Sequence, residues 1–244
     1  MRDTVELSGQ TVVVLGGSAG IGLATAHHAR AAGADVILTG RDPARLEEAA
    51  REVGALRTAA FDATDFGRLE GFFAELPTAV DHVLVTAGGP YYAPLAEIDF
   101  ERARSHLDGH LWLALRVAQL AVGKVRPGGT LLFVGGTGAR RPAVGLSITA
   151  AMTAALPALV ANLALEIAPI RVNLLAAGFV DTPLSASLLG DDLENRRAQL
   201  RETLPIGRVV EAGDVASLAV HLMTNTALTG ATYDVDGGQQ VVQR

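Results

Sequence analysis

The sequence predicts an α/β fold, a doubly wound seven-stranded parallel sheet with helices on both faces. Three observations predict it. Short runs of β-branched and apolar residues alternate with helical segments along all 244 residues, the pattern of repeated strand–helix–strand units. The first apolar run is followed by a glycine-rich turn and an alanine-rich helix. No linker, internal repeat or low-complexity segment interrupts the alternation, so residues 1–244 read as one domain.

The elements follow in order. Thr11–Leu15 reads as a strand buried on both faces. Glycines stand at 16, 17, 20 and 22, and a helix runs from Ile21 to Ala32, closed by Gly33. Asp35–Thr39 is the second strand. Asp42 suits the N-cap and Pro43 the first position of a helix that ends at Gly54. Arg57–Phe61 is a strand, Phe66–Leu76 a helix, and Val80–Val85 the fourth strand. One long helix is expected from Asp99 to Val125, then a Pro127-Gly128-Gly129 turn into a strand over Thr130–Val134. The glycine-rich loop Gly135–Gly145 leads to a helix from Ile148 to Ala168. Its Pro157 lacks an N–H for the carbonyl of Thr153 and predicts a kink there. Arg171–Leu175 is the sixth strand, Leu184–Pro205 a mobile or helical insertion, Glu211–Thr224 a helix and Ala231–Val235 the seventh strand.

Composition narrows the function. The net charge of −6, with no basic tail or patch, argues against nucleic acid and anionic membranes. The absence of cysteine excludes disulfides, thiolate metal sites and cysteine nucleophiles. Residues 1–9 lack the apolar run of a secretory signal, and the expected location is the cytoplasm. The uncharged stretch Pro142–Leu165 is long enough to span a bilayer. Its prolines, glycine and hydroxyl residues fit better a helix buried between subunits. With the long helix Asp99–Val125, it predicts a homo-oligomer, since such apolar surface is too large for an ordinary monomer.

Ligands of open parallel sheets bind beyond the carboxyl ends of the strands, which directs attention to the loops there. The turn Gly16-Gly17-Ser18-Ala19-Gly20-Ile21-Gly22 lets backbone approach a pyrophosphate, with the first N–H groups of the helix aimed at that anion. A tight strand–helix turn without a ligand uses the same residues. The spacing is G-x-x-x-G-x-G rather than G-x-G-x-x-G. This turn resembles that of the short-chain dehydrogenase/reductase superfamily, and the resemblance extends from about Leu7 to Gln239. Thr86-Ala87-Gly88 is similar to the end of the family's N-N-A-G motif, Arg171-Val172-Asn173 to its R-V-N, and Gly178–Pro183 to its G-x-V-x-T-P. Thr229-Gly230 and Asp236-Gly237-Gly238 resemble the family's ending.

The resemblance implies a Rossmann-type fold, a nicotinamide cofactor and, for the homo-oligomer, a tetramer or dimer. Contacts are expected from the glycine turn, from Asp62 and Ala63 at the adenine, from Ala87 and Gly88, and from Gly178, Val180 and Thr182 on the nicotinamide side. Arg41 falls at the ribose 2′ position, where a guanidinium suits a 2′-phosphate. NADP(H) is therefore expected over NAD(H), while a solvated surface arginine stays open as the alternative.

The family's chemistry uses Asn, Ser, Tyr and Lys. Aligned here, those positions fall on His106, Gly136, Thr149 and Thr153. No shift of alignment restores the motif, because the only lysine is Lys124 and no tyrosine precedes it by four residues. A threonine hydroxyl is far too weak an acid to replace a phenol. Possible stand-ins are His106, which titrates near neutrality, and Tyr91 or Tyr92 after the fourth strand. Arg140 and Arg141 offer contacts to an anionic group. Each also has a plain reading: a hydrogen-bonded helix histidine, packing tyrosines, a solvated loop. His106 and His110, four apart, lack a third ligand at zinc spacing, so no metal is expected. Three functions remain open: an NADP(H)-dependent oxidoreductase acting on a carbonyl or alcohol by a non-standard mechanism, a cofactor-binding pseudoenzyme or regulatory subunit, and a non-redox dehydratase or isomerase. The segment 184–205 is expected to close over the substrate.

Overall fold

The computed structural model describes residues 7–77 and 79–242. Most of the N-terminal stretch read above for a secretory signal, residues 1–6, lies outside them. Strands and helices alternate as β1 (Thr11–Leu15), α1 (Gly20–Ala31), β2 (Asp35–Gly40), α2 (Pro43–Val53), β3 (Arg57–Ala60), α3 (Phe66–Glu75) and β4 (Val80–Val85). They continue with α4 (Phe100–Leu107), α5 (Leu113–Ala121), β5 (Val125–Gly136), α6 (Ser147–Glu166) and β6 (Arg171–Ala177). The remainder is β7 (Val180–Asp181), α7 (Pro183–Leu189), α8 (Leu193–Thr203), β8 (Val210–Glu211), α9 (Ala212–Thr224) and β9 (Thr232–Val235).

Seven strands pair in parallel in the order β3-β2-β1-β4-β5-β6-β9, the expected Rossmann-type sheet. The order reverses between β1 and β4, so a crevice opens where their carboxyl ends diverge. Alternate residues of each strand face opposite layers. Val13, Leu15 and Ile37 pack with Phe72, Val117 and Leu156 on one face. Val12, Val14 and Leu38 pack with Ala26, Leu46 and Ala219 on the other. Both layers are buried, which explains why these strands read as unbroken apolar runs.

Local signals place several ends as expected. The carboxylate of Asp42 accepts from the backbone N–H of Ala44 and Arg45, and Gly54 ends α2 at φ 68°. Two other expectations, the helix over 99–125 and the start of the fifth strand, are corrected. The single helix over 99–125 is three pieces: α4, a π-helical turn over Asp108–Trp112, and α5. Gly109 is buried in this wider turn, with its carbonyl beside Gly88 and Thr64 nearby. Val125 belongs to β5, which starts before the Pro-Gly-Gly turn and absorbs it as a register shift against β4. Segment 184–205 is helical, formed by α7, a 3₁₀ turn and α8, and the short β7–β8 pair brackets it. α6 stays helical through Pro157. It is long and apolar enough to cross a membrane, but it buries Met152, Leu156, Val160 and Leu163 in the core.

Two buried polar groups organise the amino ends of the strands. The guanidinium of Arg171 donates to the carbonyls of Leu222 and Met223 (both 2.7 Å), Asn225 and Leu228, and to Thr130 Oγ1. A cation at the carbonyl end of α9 is favoured by the helix dipole. His82 pairs through Nε2 with Gln10 Oε1 at 2.7 Å. Burial, and then the nearby charge of Arg171, push its pKa down to about 3. The unfolded imidazole titrates near the ordinary value, so its folded form binds fewer protons between those limits. Stability from this group is present above the unfolded pKa and is lost as pH falls below it. Between pH 7 and pH 5 it should cost about 2 kcal/mol. Denaturant unfolding at these two pH values is expected to give a smaller pH-dependent loss for His82→Gln than for the wild type; equal losses would refute the assignment.

Candidate active site

The site starts from a backbone contact. A Cβ on Gly22 would lie 2.2 Å from the carbonyl oxygen of Gly16, so only glycine lets the first turn of α1 close onto the end of β1. The Thr86 hydroxyl, at the end of β4, donates to Gly16 O at 2.9 Å and joins the two sides of the crevice. α1 begins at Ala19 with no side-chain cap and no acidic residue in its first turn. Its leading N–H groups are open to an anion. Gly16, Ser18, Ala19, Gly20, Ile21 and Gly22 all line the cleft above the sheet. Gly17 does not, contrary to expectation: its N–H donates to Thr39 O at 2.8 Å and Leu38 packs against it.

The cleft has a volume of about 1590 Å³. At one end it is lined by Arg41, Asp62 and Ala63, at its centre by Ala87, Gly88 and Gly178, and beyond them by Val180, Thr182 and α7–α8. The Asp42 carboxylate next to Arg41 is spent on capping α2. Asp62 Oδ1 accepts from the N–H and hydroxyl of Thr64. Burial opposes its ionisation, but these bonds and the charge of Arg41 outweigh it and hold the carboxyl below its ordinary value. Thr182 caps α7 in a reciprocal pair with Ser185. Its methyl group lies beside Gly20, so the start of α7 touches the glycine turn.

His106, Gly136, Thr149 and Thr153, the residues expected at the family's four catalytic positions, all line this cleft. Gly136 ends β5. The Thr149 hydroxyl donates to Tyr91 O at 2.6 Å and accepts from Tyr91 N–H at 3.1 Å, clasping α6 to the loop after β4. The Thr153 hydroxyl donates back into its own helix, to Thr149 O and Ala150 O. Both hydroxyl protons are therefore committed. His106 is 6% exposed. Its Nδ1–H donates to Gly89 O at 2.8 Å, and Nε2 is buried without a partner. His110 donates from Nδ1 to His106 O, and the rings lie 4.4 Å apart. Burial lowers the pKa of both histidines against the pull of those carbonyls, and His106 lowers that of His110 further.

The proposed stand-ins separate. Tyr91 is buried, and its hydroxyl accepts the N–H of Asp99 at the start of α4. Tyr92 stands 55% exposed at the cleft mouth. Arg140 leaves the site to pair with Asp234, which corrects its reading as a ligand contact. Arg141 lines the cleft and donates to Val242 O. Lys124 lies at the other end of the sheet, bound to Ala74 O and Leu76 O. Among the described residues no group of three His, Asp or Glu side chains is placed to hold a metal. Sequence reasoning missed Arg102 and Arg196, which line the cleft from α4 and α8. The four-residue spacing of Arg102 from His106 puts both on one helix face and was the available signal.

A glycine turn at the switch point of a parallel sheet, opening on one long cleft, defines a nucleotide-binding α/β oxidoreductase class. The chain belongs to the short-chain dehydrogenase/reductase superfamily. The family described as enoyl-(acyl carrier protein) reductase matches residues 16–240. The chain is 30% identical to the short-chain dehydrogenase/reductase ATR9 of Stachybotrys chlorohalonatus (strain IBT 40285), over 95% of this chain and 97% of that one. A glucose/ribitol dehydrogenase-type member from Brucella melitensis has a TM-score of 0.88 at 26% identity, covering 96% and 97% of the two chains. A small-chain dehydrogenase solved in complex with NADPH has a TM-score of 0.82 at 28% identity, covering 95% and 99%.

The clasp at Thr149 is testable. Thr149→Val keeps the shape and leaves a buried N–H and carbonyl of Tyr91 without their partner. Urea unfolding is expected to show a loss of about 1–3 kcal/mol; an unchanged midpoint would mean that the clasp contributes nothing.

Proposed function

We propose that this chain is an NADP(H)-dependent oxidoreductase that interconverts a carbonyl and an alcohol, with the imidazole of His106 in place of the family's phenol. The observation that carries this reading is the unpartnered Nε2 of His106, buried in the cleft while Nδ1 is held by Gly89. The residues fit the cofactor: a cradle that a Cβ at Gly22 would fill, an uncapped helix start, and Arg41 beside a diverted Asp42. The relative solved with NADPH supports the same cofactor class. When bound, the nicotinamide supplies or accepts the hydride.

His106 handles the proton. With Nδ1–H fixed on a carbonyl, the neutral ring carries its lone pair on Nε2. In the oxidative direction Nε2 accepts the alcohol proton. In the reductive direction the imidazolium donates from Nε2 to the forming alkoxide. Repulsion from His110 keeps the pair from carrying two charges at once. Gly136 and the committed hydroxyls of Thr149 and Thr153 bound the site without donating a proton. The helices α7 and α8 form the wall that covers the substrate. Exposed Phe100, Trp112 and Val122 on and after α4–α5, and Leu165 on α6, support assembly as a homo-oligomer. A second reading, cofactor binding without turnover, is favoured by those same committed hydroxyls.

Two measurements decide. Calorimetric titration is expected to give tighter binding of NADPH than NADH, and Arg41→Ala should remove about 10- to 100-fold in affinity for NADPH alone. Equal affinities would overturn the cofactor assignment. Because burial depresses the pKa of His106, ketone reduction should fall as pH rises through a value below about 6.5, the ordinary histidine range. Alcohol oxidation should rise through the same value and level off. His106→Asn is expected to abolish this dependence and lower the rate about 100-fold. An unchanged profile would refute the role of His106, and NADPH binding without hydride loss across a carbonyl panel would establish the second reading.

A further inference from the structure

The cleft is cationic although the chain carries a net charge of −6. Among the described residues that line it are five arginines and one carboxylate, Asp62. Arg41 and Arg45 stand with Asp62 at the end assigned above to the 2′-phosphate. The other three come from three separate elements around the catalytic half. Arg102, from α4, lies over the Tyr91 ring with its guanidinium carbon 5.5 Å from the ring centre. Arg196, from α8, lies over Phe179 at 5.8 Å. Arg141 comes from the loop after β5.

Their neighbours in sequence make the contrast. Arg140 pairs with Asp234, and Arg197 pairs with Asp181 and Glu194. Arg141 and Arg196, one residue away in each case, face the cleft. Their hydrogen-bond partners there are neutral: the carbonyl of Val242 and, at 2.7 Å, the amide oxygen of Gln199. Arg102 has an aromatic face beneath it, and no ion pair found among the described residues includes it. Rings and carbonyls orient a guanidinium without cancelling its charge. In each adjacent pair, one arginine's charge is therefore balanced on a carboxylate and the other's is left facing the cleft.

We infer that the substrate carries an anionic group, a carboxylate or a phosphate, on the part away from its reacting carbonyl. Arg102, Arg141 and Arg196 receive it. This rests on the proposed oxidoreductase reading and names its substrate class. Arginine forks recognise both anions through paired N–H donors. The roof arginine on α8 then ties substrate charge to the segment that covers the site.

The test uses three matched ketones, 4-acetylbenzoate, 4-acetylphenyl phosphate and the neutral methyl 4-acetylbenzoate, titrated into protein saturated with NADP+. Saturation occupies the subsites for the cofactor's own phosphates. At least one anion is expected to bind tenfold or more tightly than the ester, and comparison of the two distinguishes carboxylate from phosphate. The preference should fall at least fivefold in Arg102→Gln with Arg196→Gln and again in 0.5 M NaCl; in turnover assays run separately with NADPH, the loss should fall on KM rather than kcat. An ester bound as tightly as both anions, a preference that survives the double variant, or no binding of any of the three would overturn the inference. NADPH affinity, measured separately on each protein, reports on the cofactor reading alone.

Discussion

The contact between Gly22 and the carbonyl of Gly16 is the constraint on which the site depends. It sets how steeply α1 leaves β1, and the Thr86 hydroxyl fixes the end of β4 to the same carbonyl. Thr182, at the start of α7, then packs against Gly20. Three stretches far apart in sequence thus meet at one turn in which side chains have almost no room. Backbone N–H groups are what remains to face the cleft, and these recognise an anion whatever its substituents.

The opposite end of the sheet solves a different problem. β9 has to join the sheet beside β6 after the long detour through α7, α8 and α9. Arg171 and Asn173 of β6 collect the carbonyls that this detour leaves at its return: those of Leu222, Met223, Asn225 and Leu228. No acid takes part, so the arrangement satisfies a buried cation with dipoles alone. The functional loops at the carboxyl ends are thereby free to vary, since the alignment of the sheet is secured elsewhere.

The sequence made legible what is decided locally. The strand, glycine turn and helix of residues 11–33 come from adjacent residues, and the cap at Asp42 from a three-residue signal. The π-helical turn at Asp108–Trp112 was not legible, because its neighbours Thr64 and Gly88 come from distant loops and the helical pattern is left intact. The bonds of Thr149 were hidden for a related reason, their partner Tyr91 lying 58 positions away. Arg140 and Arg141 looked alike until the fold brought Asp234 to the first and Val242 to the second. Site chemistry was readable as a set of residue types, and their division into committed and available groups needed the folded chain.

One earlier feature reaches beyond proton transfer. The chain has no cysteine, and its single lysine, Lys124, sits at the far end of the sheet from the cleft. No thiol or primary amine of a side chain therefore meets a bound carbonyl compound, and neither an imine nor a thiohemiacetal forms with one in the cleft. Soft electrophiles such as enals and quinones, which alkylate thiols and amines, find there only the imidazole nitrogens of His106 and His110 among the described residues.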